Sequence, residues 1–127
     1  MNKPVDERRK HPRLENNIPI KLSSDDRDVV TETRNLSSAG TYCKVNQYFE
    51  PMTKLKIHLL LPLKKRDKTV TKKLSCQGIV VRAEPVPGAE YFNVAIFFND
   101  MSPADSKVLT EYVHSHLQRK VNTLNPN

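Results

Sequence analysis

Apolar side chains alternate with their neighbours along two stretches of this chain, and that spacing limits its fold more than any other feature. Leu55, Ile57, Leu59 and Leu61 alternate with Lys54, Lys56, His58 and Leu60. Phe92, Val94, Ile96 and Phe98 repeat the pattern later. Successive side chains of a strand point to opposite faces, so this spacing makes strands with one apolar face. Ile18, Ile20 and Leu22 alternate with Pro19 and Lys21, as a first or edge strand would. Residues 29–36 are rich in β-branched side chains, and residues 41–45 follow a tight turn over residues 37–40. Residues 70–83 read as one long strand, with Gly78 as a bulge or a close backbone approach. Pro62 is expected to end the fourth strand, leaving residues 64–68 as a charged connection. Pro85, Pro87 and Gly88 place a turn before the last strand.

The period then changes. Ser102 is a good N-cap, Pro103 suits the first helical position, and Asp105 completes a signal like a capping box. Val108, Leu109, Tyr112, Val113 and Leu117 fall on one helical face, so a helix should run to about Arg119. A chain of 127 residues fits one domain. Six short strands, each with one apolar face, best remove their edges by closing on themselves. The expected fold is mainly β: a six-stranded antiparallel β-barrel with a C-terminal α-helix over one end. Residues 1–14 are expected to form a flexible basic arm, residues 15–119 the barrel and helix, and residues 120–127 a disordered tail. Residues 92–98 and 108–117 are expected to supply core.

The net charge of +7 points to a polyanionic partner: nucleic acid, an anionic membrane surface or a phosphorylated small molecule. The charge gathers in two places. One holds Arg8, Arg9, Lys10 and Arg13; the other holds Lys64, Lys65, Arg66, Lys68, Lys72 and Lys73. No apolar run approaches the roughly 20 residues of a transmembrane helix, and the first residues show no signal peptide. A cytoplasmic location without membrane insertion is therefore expected. Cys43 and Cys76 lie in apparent strands and read as buried small hydrophobes. The sequence carries no phosphate loop, Cys-x-x-Cys, His-Glu-x-x-His or nucleophile elbow. His114 and His116, two apart on a helix, point in different directions and cannot share a metal. No enzymatic activity, cofactor or metal is expected.

Two segments stand out. Residues 8–13 read Arg8-Arg9-Lys10-His11-Pro12-Arg13 and contain Arg9-x-x-x-Arg13. Residues 35–40 read Asn35-Leu36-Ser37-Ser38-Ala39-Gly40. With these residues, in this order and before this strand pattern, the chain resembles the PilZ domain family. That family's fingerprint is Arg-x-x-x-Arg followed by Asp/Asn-x-Ser-x-x-Gly, and the resemblance covers residues 7–117. It implies a PilZ-like split barrel and a receptor for cyclic di-GMP, taking one or two ligand molecules per chain.

The implied chemistry is physical. An arginine fork grips a phosphate through two parallel charge-assisted bonds. It also matches the O6 and N7 acceptors of guanine and stacks on a base. The resemblance gives these roles to Arg9 and Arg13, while Arg8 adds a cation for a second ligand molecule. It sets Asn35 and Ser37 against a guanine edge, with Asn35 standing where the family often has Asp. Gly40 is expected to need positive φ or a close ligand approach. The arm is polar and charged, without an apolar anchor before Leu14, so it is expected to become ordered on binding, and an unidentified downstream protein is expected to read the change. An alternative is a PilZ-like protein-interaction module that needs no nucleotide. A nucleic-acid platform is disfavoured, since the chain has no Trp and three of its four Phe share one strand.

Overall fold

Strands and helix follow in the order that the two periodicities predict. The structure is a computed structural model that describes residues 12–124, with the side chains of residues 12–117. Its elements are β1 (Pro19–Ser23), β2 (Asp28–Leu36), β3 (Gly40–Val45), β4 (Lys54–Lys65), β5 (Lys68–Pro85), β6 (Phe92–Met101) and α1 (Pro103–Leu124). The strands pair antiparallel in a closed ring, β1-β2-β3-β6-β5-β4, and β4 returns to β1. Closure satisfies backbone groups that an open sheet would leave exposed at its edges.

The apolar face of each strand turns inward. Ile20, Leu22, Leu36, Ile57, Leu59, Val80 and Val94 are fully buried in one core cluster. Leu109, Tyr112 and Val113 join that cluster from α1. Cys43 and Cys76 are buried and free. Burial pushes both thiols up to about 12, with Asp105 and Asp100 adding to the effect on Cys76. They stay neutral thiols at physiological pH and pack as small hydrophobes.

The helix begins as its sequence requires. Ser102 Oγ accepts from the backbone N–H of Asp105 at 3.1 Å. The Asp105 carboxylate reaches the barrel and accepts from the backbone N–H of Ser75 at 3.3 Å. One residue thus helps to start α1 and to fix it against β5. The helix continues to Leu124, beyond the end expected near Arg119.

Pro62 does not end β4. The strand continues to Lys65 and pairs with β5 throughout, with Pro62 opposite Thr71. Pairing with β1 stops at Leu59, so Pro62 lies where β4 is an edge, and an edge tolerates a missing N–H. The expected charged connection shrinks to a tight turn at Arg66 and Asp67, with Arg66 in the left-handed region at φ 57°. Gly78 meets both expectations for it. The register shifts beside it, and a Cβ there would lie 3.1 Å from the Phe97 carbonyl oxygen on β6.

Candidate functional site

The two motif segments meet through one pair of backbone hydrogen bonds. Leu14 N–H donates to Leu36 O at 2.7 Å, and Leu36 N–H donates to Leu14 O at 2.8 Å. Leu14 follows Arg13 directly, and Leu36 lies between Asn35 and Ser37. Both leucines are buried, which shields the bridge from water. Leu14 is thus joined to β2 by an isolated antiparallel bridge and packs in the core cluster.

Further bonds hold the following residues along β2. Thr33 Oγ1 donates to Asn16 O at 2.6 Å and accepts from Ile18 N–H at 3.0 Å. Asn16 Nδ2 donates to the Tyr112 hydroxyl at 2.7 Å, tying the same segment to α1. Arg13 is thus held beside the turn, while its side chain is exposed and forms no ion pair among the described residues. Arg8 and Arg9 lie outside the described residues.

The turn over residues 37–40 is built by Ser37. Its Oγ accepts from the N–H groups of Ala39 and Gly40, each at 3.1 Å, and donates to Gly40 O at 3.3 Å. Two acceptor sites and one proton are the full capacity of a hydroxyl. Ser37 is buried as well, so its side chain is committed to the turn. Ser37→Ala should strand two N–H groups and lower stability by about 1–3 kcal/mol. Chemical denaturation checks this, and an unchanged midpoint would remove Ser37 from that role.

Gly40 corrects one expectation. Its φ is not in the positive region, which among the glycines only Gly88 occupies, at 75°. A close approach is present on the β6 side, where the neighbouring group is the protein's own backbone. A Cβ on Gly40 would fall inside 3.0 Å of the Ile96 carbonyl oxygen on β6.

Arg13, Ser37 and Gly40 border a groove of about 320 Å³, together with Tyr42, Val81, Arg82 and Phe97. Asn35 does not line it. Asn35 lines a wider, more open groove of about 1090 Å³ with Arg34, Lys44 and Tyr91. Tyr42 lines both and pairs with Asn35 across β2 and β3, so the two grooves adjoin at that ring. Small-molecule sites commonly occupy about 300–1,000 Å³ and combine apolar walls with a few placed polar groups. Cations here stand beside exposed rings, an arrangement that suits an anionic ligand carrying flat ring systems.

The sequence matches the PilZ domain model over residues 7–115. The chain belongs to the PilZ domain family. Its fold is similar to that of the Bacillus subtilis inhibitor of motility, MotI/DgrA, with a TM-score of 0.75 at 17% identity. That match covers 90% of this chain and 52% of the other, so the present chain spans about half of that protein. The fold is also similar to the PilZ domain of YcgR from Escherichia coli, solved with c-di-GMP. The TM-score is 0.61 at 12% identity, covering 94% of this chain and 98% of that one. Likeness at these identities concerns the fold. A search of curated proteins gave no match.

Several residues at the grooves of this PilZ domain escape a motif search. Phe97 was expected in the core, yet it is 50% exposed, while Phe98 is buried. The alternation of residues 92–98 already implies this, because Phe97 lies out of phase with the inward set. Val81 and Arg34 carry no such signal. The register of β5 slips between Val80 and Arg82, leaving Val81 59% exposed at the groove. The register of β2 slips between Thr33 and Asn35, and Arg34 stands exposed at that irregularity. Irregularities of this kind re-aim single side chains.

Proposed function

We propose that this PilZ domain is a receptor for cyclic di-GMP that carries the signal to a downstream protein. The observation behind the reading is the reciprocal Leu14–Leu36 bridge, which sets Arg13 at the same groove as the Ser37–Gly40 turn. Family membership and the c-di-GMP in the YcgR structure point to the same ligand.

In this reading Arg13 binds a phosphate or a guanine edge with its fork, and Arg9 adds the second fork. Arg8 supplies a cation for a second ligand molecule. Asn35 accepts from a guanine edge through its amide oxygen, from the far side of Tyr42. Phe97 and Val81 give the ligand rings an apolar floor. Ser37 and Gly40 act by shaping the turn. The arm orders on the barrel as the arginines engage, and the changed surface is what the partner reads. Ordering costs about 1–2 kcal/mol per backbone residue. Each charged hydrogen bond returns about 1.5–3 kcal/mol. A balance near −8 kcal/mol corresponds to micromolar affinity.

Titration calorimetry with cyclic di-GMP tests the reading and gives the stoichiometry. Saturable binding at micromolar or tighter concentration is expected. No saturable heat up to about 1 mM, or −4 kcal/mol, would end the receptor assignment and favour a nucleotide-independent interaction module.

A further inference from the structure

The β4–β5 hairpin leaves the barrel before it turns. β1 stops pairing with β4 at Leu59, and β6 stops pairing with β5 at Cys76. From Leu60↔Lys73 to Lys65↔Lys68 the two strands have only each other. This ribbon carries Lys64, Lys65, Arg66, Lys68, Lys72 and Lys73 against a single acid, Asp67. All six cations are exposed, and none forms an ion pair among the described residues. Lys65 and Lys68 face each other directly, a like-charge pairing that weakens a ribbon already marginal in water. A surface serving solubility alone mixes its signs.

The positive field reaches His58 on the adjoining barrel face. Burial, then Lys73, Lys21 and Lys56, hold its imidazole below the ordinary value. Apolar groups interrupt the ribbon's charge. Leu60 is 40% exposed and Val70 is 44% exposed, on opposite faces of the ribbon, with Pro62 exposed beside them.

We propose that this ribbon is a docking surface for an anionic lipid bilayer, engaged end-on and peripherally. Five of its six cations are lysines, whose ammonium groups act as point charges and need no fixed geometry. A field of lipid phosphates offers many such partners without a fixed pattern. Pro62 and Val70, on opposite faces and nearer the turn than Leu60, suit entry of the tip into the headgroup boundary. The ribbon holds no aromatic ring on which a base would stack and no Asn or Gln to read a base edge. No helix among the described residues is long and apolar enough to cross a membrane. The ribbon lies at the opposite end of β5 from Val81 and Arg82, which leaves the nucleotide groove open during docking.

Co-sedimentation with vesicles tests this on the intact chain. The protein is expected to sediment with equimolar phosphatidylglycerol and phosphatidylcholine, to ignore phosphatidylcholine alone, and to release as salt rises. The combined variant Lys64→Gln, Lys65→Gln and Arg66→Asn should weaken vesicle binding by on the order of a hundredfold. Asn suits the left-handed backbone at position 66. Val70→Thr should weaken it by a few fold, with the ribbon's shape kept. Both variants should stay folded, the combined one with a midpoint at or above the wild type's because the facing Lys65–Lys68 repulsion is relieved, and both should keep the wild-type response to cyclic di-GMP. Equal binding to neutral vesicles, or none to anionic ones, overturns the proposal. So does undiminished binding by the combined variant, or a preference for a duplex oligonucleotide over anionic vesicles.

Discussion

Arg13→Ala should remove most of the affinity for cyclic di-GMP while leaving the barrel as stable as before. The side chain is exposed and forms no ion pair among the described residues, so its loss takes little from the fold. A guanidinium fork on a phosphate or a guanine edge makes two charged hydrogen bonds. At about 1.5–3 kcal/mol each, their loss amounts to about 3–6 kcal/mol, or a hundredfold and more in affinity. Arg13→Lys separates charge from geometry. It keeps the cation but offers neither fork nor stacking plane, and it should still bind at least about tenfold more weakly than wild type. Calorimetry on both variants, with denaturant unfolding as the control for folding, reads these outcomes. Wild-type affinity in Arg13→Ala would mean that the groove beside the Ser37–Gly40 turn does not take the nucleotide.

Gly40→Ala should act on the other quantity and unfold the protein more readily. The added Cβ meets the Ile96 carbonyl oxygen inside 3.0 Å, with the Ile96 carbonyl carbon and Phe97 Cα close behind. All three are backbone atoms, so no rotamer change relieves the contact. Gly40 pairs with Phe97 in the β3–β6 ladder, and that ladder must open to admit a methyl group. Overpacking typically costs about 1–3 kcal/mol, and a collision with backbone belongs at the upper end. Domain stability is only about 5–15 kcal/mol, so the loss should show as a large fall in the denaturation midpoint. Gly88→Ala is the comparison. Nothing lies within 4 Å of a Cβ there, and the penalty is confined to its left-handed φ of 75°, about 1–2 kcal/mol. If Gly40→Ala kept the wild-type midpoint yet lost the nucleotide, the glycine would serve ligand approach after all.

These two residues show how differently the two motifs could be read in the sequence. Arg13 carries its chemistry in its side chain, so a fingerprint that names an arginine already names the interaction. Gly40 and Ser37 carry theirs through neighbours. Ser37 closes its own turn, a local arrangement that the spacing Ser-x-x-Gly permits, whereas the reason for Gly40 lies on β6. Asn35 and Arg13, joined by the fingerprint, border different grooves with the Tyr42 ring between them.

The sequence alone determined the strands, the helix start and the family, because alternation, capping and short motifs are properties of neighbouring residues. Leu55, Ile57, Leu59 and Leu61 turn inward for the reason their spacing states, and Ser102 caps the helix as its position requires. Tertiary structure decided what depends on register between distant segments. It paired Leu14 with Leu36, slipped β2 at Arg34 and β5 at Val81, and carried β4 past Pro62 once β1 had ended. A slip of one residue exchanges the faces of a strand, and only closure of the whole ring against its core selects which register survives.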